Sequence, residues 1–139
     1  MQYVIGVDLG TSATKTILID QNGKIIAEES VKYPMYQPEN GWAEQEPSDW
    51  SEAAISTIKS VVEKGQVNGK DVRGIGISGQ MHGLVMLNKD NQILRKSIIW
   101  CDQRATKQVE DMLELPMEKW LEITANPPMA GWTAAKILW

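Results

Sequence analysis

The feature that most constrains the fold is a pair of short β-branched runs joined by a tight, hydroxyl-rich return. Val4, Ile5 and Val7 form the first run and Thr16-Ile17-Leu18-Ile19 the second, the pattern expected of strands buried for most of their length. Between them stand Asp8, Gly10, Thr11, Ser12 and Lys15. Gly10 can take backbone angles closed to other residues, which lets the chain double back and aim successive N–H groups into one concavity. Thr11 and Ser12 add hydroxyls, Lys15 adds an ammonium on the return strand, and Asp8 sets a carboxylate at the strand end. Such a hairpin suits the phosphate chain of a nucleotide. An ordinary Gly-Thr turn has the same composition and is the plain structural alternative. The spacing is not that of the P-loop, because Lys15 lies on a strand, nor that of a dinucleotide-binding turn, because no helix follows.

Downstream, Asp20-Gln21-Asn22-Gly23 reads as a hairpin turn in which Asn-Gly supplies the two left-handed residues of a type I′ turn, with a third antiparallel strand at 24–32. Pro34, Pro38, Gly41 and Pro47 make 33–47 a loop, and Trp42 within it either caps the core edge or walls a ligand cleft. Residues 48–64 are expected to be helical. Pro47 and Ser48 start the helix, Asp49 and Glu52 suit the first turn, and Gly65 ends it. Trp50, Ala54, Ile58 and Val61 form its core-facing stripe.

Residues 72–78 read as a central strand thinned by Gly74 and Gly76 for close packing. It runs into Gly79-Gln80-Met81-His82-Gly83, and a further strand is expected at 84–87. A polar segment at the end of an apolar strand is where open α/β sheets place ligands. His82 is the one histidine, and both a structural role and a ligand contact are open to it. Metal binding by it is not expected, since no second His or Cys sits at ligand spacing. A second turn at 88–91 returns the chain through Ile93 and Leu94 to Ser97-Ile98-Ile99-Trp100. There Trp100 is either core or site, Asp102 either site or the N-cap of a helix at 103–113, and Arg104 either site or half of a surface ion pair. The fold class is mixed α/β.

Composition narrows the function classes. A chain of 139 residues is the size of one domain, and 42% hydrophobic with 23% charged residues is the balance of a soluble globular protein. Net charge is −4 with no Lys/Arg cluster, which argues against a nucleic-acid partner. No apolar run approaches the ~20 residues of a membrane span, so no membrane partner is expected. The N-terminus enters a strand directly, so no signal peptide is expected, and Cys101 alone allows no internal disulfide and suits the cytoplasm. The apolar helical pattern at Ile137-Leu138-Trp139 breaks off, so a longer protein is expected, and the surface this exposes makes a homodimer an expectation as well.

Three segments together carry a family resemblance. Asp8-Leu9-Gly10-Thr11-Ser12, Gly76-Ile77-Ser78-Gly79-Gln80-Met81-His82-Gly83 and Ile99-Trp100-x-Asp102-x-Arg104 closely resemble the FGGY family of carbohydrate kinases, as does the closing run Asn126 to Trp139. Within that family the pattern is similar to the branch acting on D-xylulose. Glycerol kinases carry Arg-Glu at Met81-His82, whereas gluconokinases share Met-His; Cys101 stands where the D-xylulose branch commonly has asparagine.

The resemblance implies an actin-like ATPase fold of two RNase-H-like domains around a cleft. Residues 1–139 would then be the N-terminal part of the first domain, with the general-base aspartate and the second domain downstream. It implies ATP and Mg2+ as cofactors, with Asp8 positioning the transferred phosphoryl group and the metal. Gly10, Thr11, Ser12 and Lys15 would contact the ATP phosphates. Met81 and His82 would contact the sugar, Trp100 would carry its carbon chain, and Asp102 and Arg104 would brace that indole. The implied activity is phosphorylation of D-xylulose by the intact enzyme, this portion being inactive alone. A gluconokinase, another sugar kinase of the family, or a non-catalytic actin-like nucleotide-binding module are the alternatives.

Overall fold

The computed structural model describes all 139 residues, Met1–Trp139. They gather into two compact units, one of residues 1–34 and 48–80 and the other of residues 35–47 and 81–139.

The first unit is a four-stranded mixed sheet in the order β3-β2-β1-β5. Strands β1 (Tyr3–Leu9), β2 (Ala13–Asp20) and β3 (Ile25–Lys32) are successive antiparallel neighbours, and β5 (Val72–Gly79) joins β1 in parallel. Strand periodicity divides the residues of β1 and β2 between two faces. Ile5, Val7 and Leu18 are buried together with Val61 of helix α1 (Pro47–Lys64). Each such side chain contributes roughly 1.5–3 kcal/mol by leaving water. Thr16 and Thr57, both fully buried, satisfy each other through a hydroxyl pair at 2.6 Å between β2 and α1. The buried line of α1 is therefore Ala53, Thr57 and Val61, and of the expected stripe Trp50, Ala54 and Ile58 form only its half-buried shoulder.

Helix α1 stops at Lys64 as expected, but Gly65 is not the left-handed residue. Gln66 takes that conformation (φ 51°), its N–H bonding to Glu63 O and that of Val67 to Val62 O. Gly65 is required by space instead: a Cβ there would lie 2.6 Å from Leu18 Cδ2 and 3.0 Å from Val61 O.

The first turn also differs from expectation. Only Gly23 (φ 83°) is left-handed, so the turn is not type I′. Gly23 N–H bonds to Asp20 O, and the Asp20 carboxylate accepts the N–H groups of Asn22 and Lys24. Those two amides hold the Asp20 carboxyl below its usual range, with the backbone of Lys24 the larger cause. The turn at 88–91 repeats the design, with Asn91 left-handed (φ 60°) and Asn88 Oδ1 accepting from Asp90 and Gln92.

Among residues 1–139 strand β5 has one sheet partner, β1, where a central strand would have two, and seven of its eight residues are exposed. A Cβ at Gly74 or Gly76 would meet no atom of residues 1–139.

The second unit has a smaller sheet, β4 (Glu44–Gln45) paired with β6 (Ser97–Ile98), and three short helices: α2 (Thr106–Met112), α3 (Met117–Thr124) and α4 (Thr133–Leu138). No strand forms at 84–87; Leu84 makes an isolated bridge to Ile98 and Leu87 one to Ile93. The expected helix at 103–113 shortens to α2, because residues 102–105 are committed to a side-chain-bonded turn. Helix α3 was not anticipated from the sequence. No helix is long and apolar enough to cross a membrane.

Candidate functional site

In the first unit, Asp8, next to the last residue of β1, is in register with Lys15 on β2 and Ser78 on β5, which places the three on one face. That face is opposite the one buried on α1. Gly6 and Gly76 lie beside each other on it and leave a trough of about 560 Å³, with Asp8, Lys15, Glu28 and Ser78 among its lining. Asp8 and Lys15 are exposed, and the Lys15 ammonium pairs with Glu28 at 3.2 Å.

The return between the strands is closed by Gly10 N–H donating to Ala13 O at 3.0 Å. That amide is thus spent inside the hairpin, and Gly10 is not in the left-handed region. Its constraint is proximity: a Cβ would sit 3.1 Å from Ala13 O. The Tyr33 hydroxyl donates to Gly10 O from the end of β3 and clamps the loop from behind. Ser12 is exposed and Thr11 half-buried. No three His, Cys, Asp or Glu side chains gather in a group fit to hold a metal alone. The single Asp8 carboxylate matches the way Mg2+ is commonly held, by one or two carboxylates with substrate phosphates supplying the rest.

In the second unit, Asp102 organises the loop that carries Trp100. Its fully buried carboxylate accepts from Ala43 N–H at 2.6 Å and from its own turn at Arg104 N–H, 2.8 Å. The Arg104 guanidinium completes a two-pronged pair with it, Nε–Oδ1 2.9 Å and Nη2–Oδ2 2.8 Å, while Nη1 donates to Glu44 at 2.7 Å. Trp42 lies flat against this guanidinium, 3.7 Å from ring centroid to Cζ, so Trp42 covers a buried cation. Burial pushes the Arg104 pKa down, but the Asp102 and Glu44 carboxylates outweigh it and hold the group above its ordinary value. Asp102 is thus no helix N-cap, and Arg104, with its side chain 1% exposed, no surface partner. Trp100, by contrast, stands 49% exposed, so it is not core.

The run after β5 holds His82 in the left-handed region at φ 61°, with the Met81 side chain exposed beside it. The imidazole stacks on Trp132 at 4.9 Å with the rings 9° from parallel. Its carbonyl accepts from the Lys136 ammonium at 2.7 Å. Lys136 is 2% exposed, and burial pushes its pKa down to about 8 against the opposing pull of Asp102 and Cys101. Burial likewise raises the Cys101 thiol above its usual range.

Gly131 packs onto the Trp100 carbonyl so tightly that a Cβ would collide with it. Nothing local in the sequence marks Glu44, Trp132 and Lys136 as supports. Each acts on a residue more than 30 positions away.

The profile of the FGGY family of carbohydrate kinases, N-terminal domain, matches residues 3–139. The chain is 49% identical, over all of its length, to a xylulose kinase of Bacillus subtilis and covers 28% of that protein. Among solved structures, the ligand-bound xylulose kinase of Lactobacillus acidophilus superposes with a TM-score of 0.91 at 34% identity, covering the whole chain and 28% of the neighbour. The gluconate kinase of the same organism gives 0.90 at 34%, over 99% of this chain and 28% of that one. The chain thus spans little more than a quarter of the proteins it matches. With the family profile running from the first strand through α4, the chain belongs to the FGGY family of carbohydrate kinases.

Proposed function

We propose that this chain is the N-terminal portion of an ATP-dependent kinase that phosphorylates D-xylulose, a protein of the cytoplasm. The observation that carries the reading is the 49% identity to a xylulose kinase across all 139 residues. In this reading Thr11, Ser12 and Lys15 contact the phosphates of ATP at the turn shaped by Gly10, and Asp8 supplies one ligand to Mg2+. Engaging Lys15 requires it to leave Glu28, and a surface pair of this kind is worth only about 0–1 kcal/mol. Met81 and His82 meet the sugar and Trp100 offers it an apolar face. Asp102 and Arg104 brace the Trp100 loop from beneath. Phosphoryl transfer depends chiefly on positioning and on neutralising charge, so a hydroxyl-lined return and one acid are apt contributions from this portion.

A gluconate kinase is the second reading, favoured by the near-equal likeness to the L. acidophilus gluconate kinase. The test is a panel of D-xylulose, D-ribulose, gluconate and glycerol on the full-length protein, followed by ADP release. We expect kcat/KM for D-xylulose to exceed that for gluconate by at least about tenfold, since polar groups set for one hydroxyl pattern go unpaired with another. The reverse order would replace the sugar, and ATP binding without transfer to any of the four would point to a nucleotide-binding module.

A further inference from the structure

His82 sits in a backbone conformation that costs a side-chain-bearing residue free energy, and such strain persists where surrounding contacts over-determine it. Here the contacts come from the segment that opens and forms α4. Trp132, just before α4, covers one face of the imidazole, and Lys136, one turn into the helix, donates to the His82 carbonyl at 2.7 Å. A carbonyl held by an ammonium fixes the peptide plane between His82 and Gly83, and a ring stacked on one face keeps its nitrogens at the open edge.

Lys136 is an expensive choice for this task. A lysine that is 2% exposed gives up most of its hydration, and an uncharged donor of similar length would avoid that cost. Burial also pulls its pKa to about 8, so the amine keeps an N–H to donate on either side of that value.

We infer that Lys136 and Trp132 are positioning residues for sugar recognition, locking the left-handed His82 so that its ring edge meets a substrate hydroxyl. This rests on the reading that His82 contacts the sugar. In this inference both act on the sugar through His82.

The test uses the full-length protein and measures D-xylulose binding by calorimetry without nucleotide, together with steady-state KM and kcat. His82→Ala should weaken sugar binding about tenfold or more, as loss of a well-placed hydrogen bond to substrate does. Lys136→Met should raise Kd and KM for the sugar by a similar factor, while KM for ATP stays within about twofold; a general packing defect would not spare the nucleotide side. The double variant should bind no more weakly than His82→Ala alone, because a residue acting through another adds nothing once that other is gone. If His82→Ala leaves binding unchanged, the reading of His82 and this inference fail together. If His82→Ala weakens binding but a folded Lys136→Met does not, or if the two effects add, the inference fails and the reading of His82 stands. Should Lys136→Met not fold, Trp132→Leu decides: weaker sugar binding that disappears in the His82→Ala background supports the inference, and unchanged binding overturns it.

Discussion

Asp102→Asn isolates what the buried ion pair contributes. The substitution keeps the side chain's shape and leaves one oxygen where two now serve Ala43 N–H, Arg104 N–H and the Arg104 guanidinium. Arg104 would retain Glu44 at 2.7 Å and the Trp42 face at 3.7 Å, so its charge would be only partly compensated. Removing one partner of a buried pair costs about 3–5 kcal/mol, and the surviving contacts place this case near 3 kcal/mol. With m about 1.5 kcal/mol/M for unfolding a stretch of this length, the urea midpoint should fall by roughly 2 M. Tryptophan emission is the probe, since Trp42 covers the guanidinium. Adding Arg104→Met should recover part of the loss, because no orphaned cation then stays buried. A loss below about 1 kcal/mol at unchanged m would show that the pair does not hold this loop.

Two further outcomes test other contacts. Gly131→Ala drives a Cβ into the Trp100 carbonyl, a backbone atom that cannot swing aside, so denaturant titration should show a loss of about 1–3 kcal/mol. The Glu29 carboxyl, held down from 4.5 to about 2 first by the Ser60 hydroxyl at 2.6 Å and then by Lys64, contributes stability that is fully present above pH 4.5 and lost as pH falls toward 2. Melting curves of the protein and its Glu29→Gln variant should therefore converge across that window, and a gap that stays constant down to pH 2 would remove the assignment.

Much of the first unit was legible because its signals are local. Short, largely β-branched runs specify β1 and β2, although only every second residue of them is buried, and Pro47-Ser48 with acids behind them open α1 close to where it begins. The errors there concern neighbours. Asn22-Gly23 names a turn, but the Asp20 carboxylate, by capping Asn22 and Lys24, selects a different one.

In the second unit the same limit reaches the candidate site itself. Met81, His82 and Trp100 stand out in the sequence as unusual types beside glycine or at a strand end, whereas what holds them does not. Lys136 resembles any helical lysine and Glu44 any loop acid until the fold brings one to His82 and the other to Arg104. Asp102 shows why residue type alone misleads: an acid two places before an arginine suits an N-cap, a surface pair or a ligand contact equally. Only the approach of Ala43 N–H from a segment 59 residues earlier turns it into the buried anchor of the Trp100 loop. Residues of unusual type are therefore visible as chemistry in the chain, and most of what holds them becomes visible only as geometry. That is why substitutions at Gly131 and Lys136, which sequence alone does not single out as supports, test this site as severely as substitutions at His82.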